Sequence, residues 1–203
     1  VRYLVDRGYP KETAVRFVSD HRRLPEMDRF VLMRVVVPAE QARIRSEKIL
    51  QMRDLGHLQI VVDGYNVLIA TESILARRPC YLCDDGLLRD TQGIFRSYKS
   101  SDLTGPALSA IFGLLASADP DCTDVFLDQQ ISMSGRLAER IRKTMDDCSL
   151  AGRVETAKDV DFQLKTSGRI VATSDGNIVD AAPAVVDIPA DIARRLGFLP
   201  LSL

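Results

Sequence analysis

The chain has 203 residues, 46% hydrophobic and 27% charged, with a formal net charge of −1. That composition suits a soluble protein with one sizeable core and an appendage. It excludes a membrane-spanning chain, since no apolar run approaches the roughly 20 residues a span needs, and Arg2, Asp6 and Arg7 interrupt any secretory leader. Four cysteines, Cys80, Cys83, Cys122 and Cys148, are too few at this length for a disulfide scaffold, so a cytoplasmic location is expected. Cys80 and Cys83 form a lone CxxC. A zinc site would need a second pair, and ordinary core or loop cysteines are the plainer reading.

In chain order, residues 1–56 read as a helical N-terminal module. Pro10 suits a helix start, and residues 13–18 continue at helical spacing. A turn near Arg22 and Arg23 precedes Pro25, a second helix start, and residues 25–36 carry apolar Met27, Phe30, Val31, Met33 and Val35. Pro38 interrupts the pattern, and residues 38–53 read as a polar, arginine-rich helix. The module holds 12 Lys+Arg against 8 Asp+Glu. A stripe of Arg16, Arg22, Arg23, Arg43, Arg45, Lys48 and Arg53 would bind RNA phosphates in a salt-dependent way, and the two short helices with their turn faintly match a helix-turn-helix. The competing reading is a helical cap or dimerisation arm packed on the rest of the chain.

From residue 57 the patterns alternate. Strands are expected at 57–63, 124–128, 153–156, 169–174 and 184–188, and helices at 85–98, 104–118, 135–148, 159–166 and 189–196. This alternation implies an α/β domain over residues 57–203: an open parallel sheet of about five strands with helices on both faces and right-handed crossovers. Residues 71–101 are the least regular and are expected to overhang the sheet.

This second part carries 20 acids, of which 17 are Asp. Glu is the better helix former, so the excess of Asp points to caps, turns and short-armed carboxylate sites. Asp63 ends the first strand, Asp128 the second and Asp175 the fourth, while Asp159 and Asp161 open the helix after the third. All five map to the C-terminal edge of a parallel sheet, where such sheets place their ligands. Asp85 and Asp90 could fold over the same edge. Clustered carboxylates repel unless a cation neutralises them. Hard oxygen ligands suit Mg²⁺ or Mn²⁺, which can activate water for phosphodiester cleavage. The plainer reading of any one of these acids is a helix N-cap, and Asp159 fits it well.

The runs Val61-Val62-Asp63-Gly64-Tyr65-Asn66-Val67, Phe126-Leu127-Asp128 and Val171-Ala172-Thr173-Ser174-Asp175-Gly176-Asn177 resemble a PIN-like nuclease domain, closest to its NYN branch, over residues 57–190. The whole chain is similar to uncharacterised archaeal and bacterial proteins of domain of unknown function 434. The resemblance implies a ribonuclease that gathers three or four acids around Mg²⁺ or Mn²⁺. By position Asp63, Asp161 and Asp175 match, with Asp159 the close rival of Asp161. The middle acid is often a Glu on the helix after the first strand; here Asp90 or Asp85 must fill that place. The catalytic candidates are thus Asp63, Asp90, Asp161 and Asp175, and the metal candidates Asp63, Asp128, Asp159, Asp161 and Asp175.

Asn66 with Thr173 or Ser174 would orient carboxylates or water, and Asn66, Ser174, Arg89, Ser132, Ser134 and Arg136 are the substrate-contact candidates. Ser132 and Ser134 stand near a helix start that could hold a phosphate, or one of them simply caps it. Arg136, Arg140, Arg142 and Lys143 form a phosphate rail or a solvated face. RNA is the expected partner, no membrane is, and PIN-like domains commonly pair, which leaves a homodimer open. The alternative is a non-catalytic RNA-binding or assembly module on the same fold. A phosphatase of the haloacid dehalogenase type would need Asp-x-Asp where Asp63-Gly64-Tyr65 stands, and no Walker glycine loop with Lys is present.

Overall fold

Three prolines punctuate the N-terminal helices of the computed structural model, which describes residues 1–91, 93 and 98–203. Helix α1 (Arg2–Val5) is a single turn; α2 (Lys11–Arg22), α3 (Glu26–Val35) and α4 (Ala39–Ser46) each begin one residue after Pro10, Pro25 and Pro38. A fixed proline φ pre-sets a helix entry. The arginine-rich helix expected to run to residue 53 stops at Ser46, because Ile49 and Leu50 pair instead as β1 (Ile49–Leu50). This strand lies before the expected domain boundary at residue 56, yet it is the edge of the main sheet.

The centre of that sheet is β2 (Gln59–Asp63), where Ile60 and Val62 turn to one face and Val61 to the other, all buried. Period-two alternation with both faces covered is what a parallel sheet demands. The chain continues through α5 (Gly64–Leu75), a hairpin of β3 (Cys80–Leu82) and β4 (Leu88–Asp90), α6 (Thr104–Ala118), β5 (Cys122–Asp128), α7 (Ser134–Asp147), β6 (Val154–Ala157), α8 (Val160–Thr166), β7 (Ile170–Ala172), α9 (Gly176–Ala181), β8 (Val185–Val186) and α10 (Ile188–Arg195). The fold is α/β: a six-stranded sheet of order β1-β8-β7-β2-β5-β6, parallel throughout, preceded by a helical segment. All five expected strands are present as β2, β5, β6, β7 and β8. Helices α5, α6, α7 and α10 share a core with Ile60 and Val62; α8 and α9 cover Val61, Phe126 and Val171 on the other face.

Two expectations change. The helix expected at 85–98 is replaced in its described part by the β3–β4 hairpin, and residues 92 and 94–97 lie outside the described residues. Gly86 at φ +81° turns the hairpin, and the Leu88 amide donates to buried Asp187 at 2.6 Å, so tertiary ties override the local pattern. Helix α5 was not anticipated. Its residues from Gly64 to Ile74 are all buried except Asn66, so it carries no amphipathic stripe for a periodicity reading to find. No helix among the described residues is long and apolar enough to cross a membrane.

Candidate active site at the C-terminal edge of the sheet

The chain leaves β2, builds outward through β5 and β6, then returns to the opposite side of β2 as β7. That reversal opens a crevice at the C-terminal strand ends, and here it is a cleft of about 1040 Å³. Asp63 stands at its floor as the last residue of β2 and the N-cap of α5. Gly64 is required beside it: a Cβ there would lie 2.6 Å from Leu127 Cδ2 and 2.9 Å from the Phe126 carbonyl oxygen. The close approach of β5 therefore explains the Asp-Gly pair.

Asp63 is 8% exposed and well partnered. Its Oδ1 accepts from the Asn66 amide at 3.3 Å and its Oδ2 from the Thr173 hydroxyl at 3.0 Å. Thr173 Oγ1 in turn accepts from the Asp175 amide at 3.1 Å. Burial pushes the Asp63 carboxyl up to about 7; the Asn66 and Thr173 hydrogen bonds oppose the rise, and the charges of Asp175 and Asp161 add to it. Asn66 Oδ1 accepts from both the amide and the hydroxyl of Ser174, at 2.9 and 3.1 Å. Asn66 and Ser174 thus stitch α5 to the β7–α9 turn.

That turn is clamped from behind. Arg89 Nε donates to the Ser174 carbonyl at 2.7 Å, and its two terminal nitrogens grip Asp85 at 2.8 and 2.7 Å. Arg45, from α4, reaches the same carboxylate at 3.0 Å and Asp180 at 2.7 and 2.9 Å. A Cβ on Gly176 would stand 2.7 Å from the Arg45 guanidinium. Burial raises the Asp85 carboxyl, but the hydrogen bonds and charges of Arg89 and Arg45 outweigh it and hold the group below the usual carboxylate range. The structure thus places Asp85 and Arg89, candidates for site acid and substrate contact, in a buried ion network beneath the site rather than in the cleft.

The cleft itself gathers Asp63, Asp90, Asp128, Asp159, Asp161 and Asp175. Asp175 caps α9, its Oδ1 accepting from the Asn177 and Ile178 amides, and Asp128 Oδ1 accepts from the Gln130 amide. Asp159 occupies the N-cap position of α8 but makes no capping hydrogen bond, so the plain reading does not account for its carboxylate. Asp90, from β4, is 8% exposed and stands 3.8 Å from Arg34. The acid on the helix after β2 is Glu72, which accepts from the Thr104 and Tyr98 hydroxyls and does not line the cleft.

Other expected residues fall elsewhere. Ser132 and Arg136 line a separate groove of about 560 Å³ with Lys99, Met133 and Arg140. Ser134 is buried in the first turn of α7, and Met133 takes the N-cap position, so neither serine caps that helix. In the N-terminal stripe, Arg43 pairs with Glu40 and Glu47, Arg45 is buried, and Lys48 Nζ donates to the Val179 and Asp180 carbonyls. Cys80 is buried and free, and burial pushes its thiol up to about 12. Among the cleft residues that sequence reasoning missed are Arg34, Lys158, Phe162 and Lys165. Of these only Phe162 and Lys165 had a legible signal, in their i, i+3 spacing on α8.

The donor set is all hard oxygen, the kind that suits Mg²⁺ or Mn²⁺, and the Asp63 carboxyl is raised first by burial and then by the charges of Asp175 and Asp161. Among the described residues no three His, Cys, Asp or Glu side chains are grouped closely enough to hold a metal ion as they stand.

A sequence model described as a domain of unknown function (DUF5616) matches residues 52–191. The chain belongs to the DUF5616 family. A second model, a protein of unknown function (DUF434), matches residues 1–48, so the two meet beside β1. The uncharacterized protein MJ0935 of Methanocaldococcus jannaschii is 33% identical over 197 residues, covering 96% of this chain and 94% of that protein. No solved structure matches the chain. All six cleft acids lie at strand ends and helix starts of the DUF5616 segment, and the DUF434 segment contributes Arg34 to the cleft and Arg45 to the network beneath it.

Proposed function

We propose that the protein is a divalent-metal-dependent ribonuclease on a PIN-like, NYN-type domain, hydrolysing RNA phosphodiesters. The observation that carries this reading is the meeting of Asp63, Asp161 and Asp175, from three separate strand ends and helix starts, in one cleft, where burial chiefly and the charges of the other two in smaller part raise the Asp63 carboxyl. Asp63, Asp161 and Asp175 would hold the metal, with Asp128 and Asp159 flanking. A bound Mg²⁺ or Mn²⁺ would supply an activated water and neutralise charge on the phosphodiester oxygens. The protein's own part is positioning. Thr173 fixes Asp63 Oδ2, Asn66 ties the two acidic turns together, and the Arg45–Asp85–Arg89 network holds the turn that carries Asp175. Among the described residues lining the cleft none is His, Cys or Ser, which agrees with water rather than a side chain as the nucleophile.

The test is Mn²⁺-dependent cleavage of labelled single-stranded and structured RNA by the wild type, Asp63→Asn and Asp175→Asn. Cleavage by the wild type that both substitutions abolish, with circular dichroism unchanged, is the expected result. A wild type silent with every metal and substrate, or variants that still cleave, would refute it. That no three acidic, His or Cys side chains among the described residues are grouped to hold a metal ion favours one other reading, a non-catalytic RNA-binding module, which predicts RNA binding without cleavage.

A further inference from the structure

Phe162 and Lys165 lie at i and i+3 on α8, the spacing of neighbours on one helix face, and Lys158 stands two residues before the helix begins. All three line the acidic cleft. The buried side of α8 is made by Val160 and Leu164, so Phe162 is not needed for the core, and it stands 63% exposed. A large aromatic held in water between two lysines differs from a protein-docking face, where aromatics are enriched but lysine is depleted. It matches the surface that binds nucleic-acid strands: a ring on which any base stacks, with cations beside it for the phosphates.

We propose that this stripe is a nucleotide subsite of the cleft, with one unpaired base stacked on Phe162 and the phosphates on either side of it paired with Lys158 and Lys165. The inference rests on the ribonuclease reading for the direction of the strand, which leads from α8 toward Asp63, Asp161 and Asp175. It selects single-stranded over duplex RNA, because bases within a duplex already stack on one another and present no free face to the ring. Lys158 and Lys165 also keep the acidic cleft approachable for a polyanion, offsetting in part the repulsion of six carboxylates.

The chain contains no tryptophan, so Phe162→Trp introduces a single reporter at the subsite. It is titrated in EDTA, where cleavage does not interfere, with a single-stranded RNA oligonucleotide and with a blunt duplex of the same sequence. Saturable quenching by the single strand, and little by the duplex, is expected. By fluorescence anisotropy Phe162→Ala weakens single-strand binding roughly 5- to 150-fold, and Phe162→Tyr restores it. Lys158→Ala and Lys165→Ala each lower the slope of log affinity against log salt by about 0.7. Equal quenching by duplex, no quenching, or wild-type affinity in Phe162→Ala overturns the subsite. Because these readouts do not use cleavage, a wild type that cuts RNA while Phe162→Ala binds normally sinks the subsite alone. Stacking without cleavage under any metal sinks the ribonuclease reading alone.

Discussion

Asp63→Asn should make the metal-free protein more stable at pH 8, and the gain should vanish in acid. Asp63 has an ordinary carboxyl pKa near 3.8 when the chain is unfolded and about 7 when burial encloses it. The folded state therefore holds the proton more tightly. Stability from that proton is fully present below the unfolded value and is lost as pH rises from about 4 to about 7. At about 1.4 kcal/mol per pKa unit the loss is on the order of 4 kcal/mol. The amide of the variant carries no charge at any pH. It cannot reproduce both acceptor contacts, from the Asn66 amide and the Thr173 hydroxyl, which removes about 1 kcal/mol of the gain. An advantage of about 2–4 kcal/mol at pH 8 remains. The assay is urea unfolding followed by circular dichroism in EDTA at pH 8.0 and pH 4.0 for both proteins. Asp187, whose carboxyl burial raises to about 6, titrates in the same window, but it is common to both proteins and cancels in the difference. A variant less stable than the wild type at pH 8, or an advantage that does not change with pH, would refute the account of Asp63 as a carboxylate buried at a cost to stability.

Asp85→Asn should do the opposite. Asp85 is fully buried between Arg45 and Arg89, and removing one side of such a network leaves uncompensated cations, costing about 3–5 kcal/mol; urea unfolding at neutral pH reads it, and a loss under 1 kcal/mol would contradict the arrangement. Gly64→Ala should cost about 1–3 kcal/mol through overpacking, since its Cβ meets Leu127 and the Phe126 carbonyl. The same substitution at Gly135, where nothing lies within 4 Å, is the control and should leave the unfolding midpoint nearly unchanged.

The sheet and its acidic edge were legible because they rest on local patterns. Buried β2, β5 and β7 announce themselves as short apolar runs, and Asp63, Asp128 and Asp175 as acids at their ends. Helix α5 was hidden because uniform burial erases periodicity. Asp85 and Asp90 could not be told apart: they lie five residues apart in one hairpin, yet one is locked between two arginines and the other faces the cleft. Glu72, on the helix after β2, turns toward Tyr98 and Thr104 rather than the cleft. Arg45 read as one cation of a stripe on a separate module and Arg34 carried no signal, and only folding brings Arg34 to the cleft wall and Arg45 under the turn of Asp175. Hydrophobic periodicity and turn chemistry act over a few residues, so sequence alone determined β2, β5, β6, β7 and β8 and the acids Asp63, Asp128 and Asp175 at or just past strand ends, but not β1, the β3–β4 hairpin or α5. Which charges meet depends on contacts between residues 40 to 135 positions apart, and those are decided by packing in three dimensions.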